Sequence, residues 1–253
     1  MEPSETYNNA IFELNDVGFT YDGPIVALEH LNLVVKPGER LAILGSNGSG
    51  KSTLLKILDG LYFPTSGSLQ AFDQIMSEEA LRDDRFNFEF RRRVGFVFQD
   101  SDAQLFMPTV WEEVAFAPLQ LGVEQDEVQR RVDQALQALQ IEKLRDRGPH
   151  QLSGGEKKRV ALASVLSLAP EVWLLDEPSA GLDPRSVSWL IDFIETQRQG
   201  GKTAVIATHD LALVEASADR VCVLDEAHHL IAEGTPGEIL TDRALLLNAN
   251  LMR

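Results

Sequence analysis

The stretch Glu39–Tyr62, ERLAILGSNGSGKSTLLKILDGLY, decides the fold. Leu41 to Leu44 form a short apolar run of the kind that fills a buried strand, and after Lys51 the apolar residues return at the three-to-four spacing of an amphipathic helix. Between them Gly45, Ser46, Asn47, Gly48, Ser49, Gly50, Lys51 and Ser52, followed by Thr53, fit the pattern G-x-x-x-x-G-K-[ST]. A strand before this pattern and a helix after it are the context in which it binds phosphate. The glycines let successive backbone N–H groups turn inward onto phosphate oxygens, and the helix start adds its positive dipole end.

That loop assigns roles to its neighbours. Lys51 is placed to bridge β- and γ-phosphates, and Ser52 to ligate Mg²⁺. The apolar run VWLLDEP ends in Asp176 and Glu177, which puts two carboxylates at the C-terminal edge of a parallel sheet, where ligands of such folds bind. Asp176 would hold Mg²⁺ through water, and Glu177 would accept a proton from the attacking water. Taken alone, an Asp-Glu pair also ends many surface strands. His209 in VIATHDL and Gln99 in VGFVFQ follow apolar strands in the same way. His209 would point at the γ-phosphate or serve as a packing residue; the Gln99 amide could ligate Mg²⁺ and sense the nucleotide, or be an exposed strand end.

Composition narrows the partners. The 253 residues carry 23 Lys+Arg against 39 Asp+Glu, a formal net charge of -16, which repels a nucleic acid backbone. The single cysteine, Cys222 in RVCVL, reads as a buried strand residue and allows no disulfide within the chain. The N-terminal MEPSETYNNA lacks the basic start and apolar stretch of an export signal, so a cytoplasmic location is expected. The longest weakly polar run, Val160 to Ala169, falls far short of the ~20 residues that span a bilayer. Work at a membrane therefore requires a partner to hold the chain there.

Outward from the loop, residues 11–35 read as two strands, IFELNDVGFTY and LEHLNLVV, separated by the turn signal DGP. A turn at FPTSG follows the phosphate-loop helix, and residues 86–98 read as a strand. Residues 109–145 read as largely helical, with Val128, Val132, Leu136 and Leu139 at spacings of three and four. Strands resume in EVWLLDE, KTAVIATHD and RVCVLDE, separated by helical segments such as RSVSWLIDFIETQRQ. The fold class expected is α/β, with a mostly parallel core sheet, an antiparallel β edge subdomain and a helical insertion over about 100–165.

A second glycine pair remains, in LSGGEKKRV at 152–160. With GSNGSGKST, Gln99, VWLLDEP, SAGLD and His209 in that order, the chain resembles the nucleotide-binding subunit of ATP-binding cassette (ABC) proteins from about residue 11 to 240. The resemblance implies a P-loop NTPase core, an ABC ATP-binding domain over 8–243 and a short tail over 244–253. It implies that two cassettes pair head to tail around ATP, so that Ser153, Gly154 and Gly155 of one chain grip the γ-phosphate held by the other, with Asp183 coupling the two sites. A helix start with two glycines suits that role, because its free N–H groups can approach an anion closely. Tyr21 matches the family's adenine-stacking aromatic; a strand aromatic in a hydrophobic cluster is the other reading. Glu156 departs from the usual glutamine, outside the serine and glycines that meet phosphate.

The stretch FQDSDAQLFMPTVWEEVAFAPLQLG, 98–122, is similar to energy-coupling factor transporter ATPases, especially the cobalt and nickel branch, with Ser101 and Ala103 in place of the expected Pro and Asp. This similarity implies MgATP hydrolysis at the cytoplasmic face of a membrane and a groove for a helix of an integral membrane coupling protein, anchored by Leu105, Phe106 and Pro108. Packing inside the helical insertion is the alternative for those three. A non-transport cassette acting as an ATP-gated clamp, and a monomeric phosphate-loop kinase, are the competing functions; LSGGE speaks against the kinase. His228-His229 lacks the spacing of a metal site, and the run Arg91–Arg93 reads as a solvated strand start.

Overall fold

The computed structural model describes residues 10–252. All but the last residue of the N-terminal stretch read for an export signal, and the first two residues of the expected 8–243 domain, lie outside the described residues. In chain order, β1 (Phe12–Tyr21) and β2 (Ile25–Val35) precede β3 (Arg40–Gly45), the phosphate loop and α1 (Lys51–Leu58). Then come β4 (Ser66–Ala71), β5 (Gln74–Ile75), α2 (Asp84–Arg93) and β6 (Val94–Val97). The helices α3 (Ser101–Gln104), α4 (Val110–Gln120), α5 (Gln125–Ala138) and α6 (Gly154–Leu166) follow without an intervening strand. The chain continues through β7 (Val172–Asp176), α7 (Pro184–Gln199), β8 (Thr203–Thr208), α8 (Leu211–Ser217), β9 (Arg220–Leu224), β10 (Leu230–Gly234), α9 (Pro236–Thr241) and α10 (Arg243–Asn248).

Two sheets result, ordered β2-β1-β4-β5 and β10-β9-β3-β8-β7-β6. The first is antiparallel. In the second, β9, β3, β8, β7 and β6 run parallel and only β10 is antiparallel. Strand alternation sorts the core into layers. Leu41, Ile43, Leu174 and Val205 meet α1 and the antiparallel sheet, whereas Trp173, Leu175 and Ile206 meet the helical layer of α4 to α7. Helix α1 is thus covered on both sides, and burial of each large aliphatic there is worth about 1.5–3 kcal/mol. Within 244–253, Leu246 and Ala249 are buried against Ala42 and Leu44.

Two local readings of the sequence are corrected. Residues 86–93 are helical and the strand begins only at Val94. Asp83 caps that helix by accepting from the Phe86 N–H at 2.9 Å, and Arg91, Arg92 and Arg93 occupy its last turn, where cations suit the dipole. Those arginines therefore close a helix: Arg91 pairs with Asp59 and Arg93 with Glu171. The chain after FPTSG is also more than a turn, since β4 pairs with β1 and extends the antiparallel sheet.

Strand β6 leads to Gln99 and packs tightly against α6. A Cβ on Gly95 would lie 2.4 Å from Val165 Cγ1 and 3.1 Å from Pro170 Cγ. Gly95→Ala is expected to destabilise the chain by about 1–3 kcal/mol, and the double change Gly95→Ala/Val165→Ala to cost less than the sum of the singles. Urea unfolding of the four proteins checks this, and strict additivity would contradict it.

Candidate nucleotide site

The loop between β3 and α1 has the backbone that its glycines permit. Gly48 and Gly50 have φ of 88° and 107°, and a Cβ on Gly50 would meet the Ala27 carbonyl oxygen at 2.2 Å. Lys51 is 5% exposed; its Nζ donates to the carbonyls of Gly45 and Ser46 at 2.8 and 3.0 Å and lies 3.4 Å from Glu177 Oε1. Burial pulls its pKa down, opposed by Glu177. A cleft of about 490 Å³ opens on this loop, and its walls include Tyr21, Asn47, Gly48, Gly50, Lys51, Ser52, Thr53, Gln99 and Glu177.

Because β7 and β8 run parallel beside β3, their C-terminal ends deliver acids to the same edge. Ser52 Oγ donates to Asp176 Oδ1 at 2.8 Å, and burial pushes the Asp176 pKa up while that hydrogen bond works against it. Glu177, 4% exposed and at φ 42°, accepts from Thr208 Oγ1 at 3.3 Å on one oxygen and meets His209 Nδ1 at 2.9 Å on the other. A non-glycine residue in the left-handed region is sparsely populated, and such strain gathers at functional sites. His209 lies on the wall of an adjoining cleft of about 300 Å³ with Ser46 and Asn47, so its link to the main cleft passes through Glu177. Gln99 stands beyond the end of β6, exposed, on the wall of the main cleft.

These groups suit a magnesium-bound nucleoside triphosphate. Ser46 Oγ and Ser49 Oγ are buried in the loop without a hydrogen-bond partner among the described residues, and an orphaned buried hydroxyl favours a ligand that accepts from it. Anionic oxygens would also complement Lys51 and the helix start, while Ser52 and Asp176 offer hard oxygen donors for Mg²⁺. Tyr21 packs in a hydrophobic cluster, the second of the two readings made of it. Its ring packs edge-on to Phe19 and Tyr62, its hydroxyl meets Thr53 Oγ1 at 2.7 Å, and it also borders the cleft.

The second glycine pair is elsewhere. Ser153 caps α6 in a reciprocal capping box with Glu156, whose Oε2 accepts from the Ser153 N–H and Oγ–H, both at 2.8 Å. Glu156 thereby occupies the Ser153 amide. Gly154 is exposed, and a Cβ there would meet nothing within 4 Å. Neither Ser153, Gly154, Gly155 nor Asp183 borders the main cleft. Asp183 caps α7 instead, accepting from the Arg185 and Ser186 N–H groups, and these bonds with the Ser186 hydroxyl hold its pKa down.

His228, set aside in the sequence as lacking the spacing of a metal site, also borders the cleft, with Nδ1 3.3 Å from the Ser49 carbonyl. What brings it there is the bond from the Glu29 N–H to the His228 carbonyl at 3.1 Å, a contact across 199 residues with no local signal in the sequence. No group of three or more His, Cys, Asp or Glu side chains placed to hold a metal ion occurs among the described residues. Beside Gln99 an apolar groove of about 360 Å³ is lined by Phe96, Phe98, Ala103, Phe106 and Phe116 among others. Phe106 is 64% exposed and Pro108 is exposed, but Leu105 is buried in the helical layer and cannot anchor a partner.

Comparison with known proteins gives the same picture. The family model described as ABC transporter matches residues 28–180. The nickel import ATP-binding protein NikO of Rhodobacter capsulatus is 49% identical over 244 residues, 95% of each chain. The energy-coupling factor transporter ATP-binding protein EcfA of Methanoculleus marisnigri is 42% identical over 95% of this chain and 85% of its own. The solved structure of cbiO1 from Clostridium perfringens, part of the ABC transporter complex cbiONQ, superposes with a TM-score of 0.81 at 37% identity, covering 96% of this chain and 95% of that one. The chain belongs to the ABC transporter ATP-binding family, whose members are ATPases coupled to transport.

Proposed function

We propose that this chain is the ATP-hydrolysing subunit of an energy-coupling factor type importer for cobalt or nickel ions, paired with a second cassette and docked on an integral membrane coupling protein at the cytoplasmic face. The observation that carries the reading is the apolar groove directly beside Gln99, with the exposed Phe106 on its wall. Phe106 meets Phe116 edge-on at 5.0 Å, giving an aromatic anchor of the kind that fills a partner's hot spot. No helix among the described residues is long and apolar enough to cross a membrane, so a groove that can hold a helix is the feature through which such a chain would act on one. The metal choice rests on the likeness to NikO and cbiO1.

The chemistry follows from positioning. Lys51 and the loop amides would hold the β- and γ-phosphates of ATP, and Ser52, Asp176 and Gln99 would hold Mg²⁺. When bound, Mg²⁺ would neutralise part of the charge on the transferring phosphoryl group. Glu177, fixed by Thr208 and His209, would take a proton from water as that water's oxygen attacks the γ-phosphorus, giving ADP and phosphate. His209 would steady both Glu177 and the γ-phosphate. Ser153, Gly154 and Gly155, at the start of α6, would complete the site of the paired cassette, with Asp183 at the junction and Tyr21 against adenine.

Two outcomes test this. Glu177→Gln should lower the hydrolysis rate by about a hundredfold or more while binding MgATP within threefold of the parent; hydrolysis at the parent rate would contradict the assignment. Phe106→Asp should keep the ATPase rate of the purified chain within twofold, yet bind at least tenfold more weakly to vesicles reconstituted with a cobalt- or nickel-type coupling protein. Unchanged binding would remove the groove from the account.

A further inference from the structure

The hairpin between β9 and β10 brings one more side chain to the nucleotide cleft. His228 stands at its corner with φ 69°, and the His228 carbonyl accepts from the Glu29 N–H of β2 at 3.1 Å. Further contacts fix that corner. The His228 N–H donates to the Asp225 carbonyl at 3.2 Å, the Asp225 N–H donates to the His229 carbonyl at 3.1 Å, and Asp225 Oδ1 accepts from the His229 N–H at 2.9 Å. His229 in turn pairs its ring with Glu29, Nε2 to Oε2 at 3.1 Å. Glycine is the low-cost residue at such a φ, so the turn by itself does not call for an imidazole there.

His228 lies on the wall of the cleft, with Nδ1 3.3 Å from the Ser49 carbonyl. A carbonyl only accepts, so Nδ1 is the donor and Nε2 is the ring nitrogen left over. Among the described residues Nε2 has no hydrogen-bond or ion-pair partner.

The part of the wall that His228 adjoins decides what Nε2 would meet. Ile25 and Val26 of β2 pair across the hairpin with Tyr21 and Thr20, and Ala27 abuts the phosphate loop, where a Cβ on Gly50 would meet its carbonyl oxygen at 2.2 Å. This stretch of β2 therefore joins the Tyr21 end of the cleft to the loop. Its side chains are apolar, and the Tyr21 hydroxyl is already engaged by Thr53 Oγ1. His228 stands beside it, bonded through its carbonyl to Glu29 and through its ring to Ser49, the neighbour of Gly50. It supplies the uncommitted polar atom on that side. A nucleotide with its base on Tyr21 and its phosphates on the loop lays its sugar along this stretch. A neutral ring whose Nδ1 donates can only accept at Nε2, and the donors of that part of a nucleotide are the sugar hydroxyls.

We infer that His228 is a ligand of the nucleotide's sugar hydroxyls, accepting at Nε2. The inference rests on the reading of this cleft as an ATP site with the base on Tyr21. It adds a specificity to that reading: the chain prefers a nucleotide that carries the sugar hydroxyls to one that lacks them.

MgADP is the probe, because it has no γ-phosphate to lose and its binding calls for no second cassette. Calorimetry on the parent chain should show MgADP binding at least about threefold more tightly than the magnesium complex of 2′,3′-dideoxy-ADP, the size of one hydrogen bond. His228→Gly suits the corner's φ while removing the ring. It should weaken MgADP at least about threefold and leave the dideoxy nucleotide within about 1.5-fold, so that the parent's preference disappears. Equal losses for the two nucleotides would mean that the ring acts through Ser49 or on phosphate, and would overturn the sugar contact. Unchanged binding of both by His228→Gly, or a parent chain that does not tell them apart, overturns it too. A parent chain that binds neither nucleotide overturns the reading of the cleft itself, and the sugar contact with it.

Discussion

The structure depends on one buried contact, the Lys51 ammonium held between the Gly45 and Ser46 carbonyls with Glu177 3.4 Å away. It joins the loop after β3 to the residue after β7, two elements separated by more than a hundred positions in sequence. A charge as buried as Lys51 is tolerable only where carbonyls and an opposite charge surround it. The parallel order β3-β8-β7 supplies that surrounding, because it brings the C-terminal ends of all three strands to one edge. Asp176, Glu177, Thr208 and His209 are neighbours of Lys51 for the same reason. The left-handed Glu177 backbone fits this view, since a strained residue persists only where its surroundings over-determine it.

From that edge the helical layer reaches outward. Helix α6 packs Val160, Ala161 and Leu162 into the layer, and carries at its start two glycines that do not border the chain's own cleft. If the start of α6 is a second phosphate cradle, as proposed, the two cradles meet one nucleotide only when a second chain is added. The acidic balance of the sequence, 39 against 23, means that two copies repel at long range. Helix starts and loop amides attract phosphate without adding net positive charge, so a bound nucleotide is the natural element to draw such surfaces together.

Much of this was legible in the sequence because the signals were local. ERLAILG, VWLLDEP and VIATHDL each combine a continuous apolar run with a functional residue at its end, and a parallel strand buried on both faces reads that way. Residues 86–90 failed for a physical reason. Phe86, Phe88 and Phe90 alternate with polar residues at the strand period, but only Phe90 is buried, and the Asp83 cap with three terminal arginines makes a helix of the segment. Strand β4 was missed because it buries only Leu69 and Ala71 and is defined by distant pairing with β1. The same non-locality hid His228, which Glu29 brings to the cleft, and the bonds from Lys158 Nζ to the Phe98 and Gln99 carbonyls. Leu105 and Phe106 are adjacent in sequence, yet one faces inward and the other into the groove; their hydrophobicity alone could not separate them.

The central claim, that the two phosphate cradles serve one nucleotide across two chains, is open to a direct cross-linking measurement. Cys222 is buried and its thiol is pushed up to about 12 by that burial, so engineered cysteines would react alone. Chains carrying Asn47→Cys and chains carrying Ser153→Cys, both in the Glu177→Gln background, would be mixed and treated with a short bis-maleimide. The account predicts a covalent pair between the two kinds of chain with MgATP and little without it. A yield that ignores MgATP, or no pair under conditions where both chains bind MgATP, would contradict it.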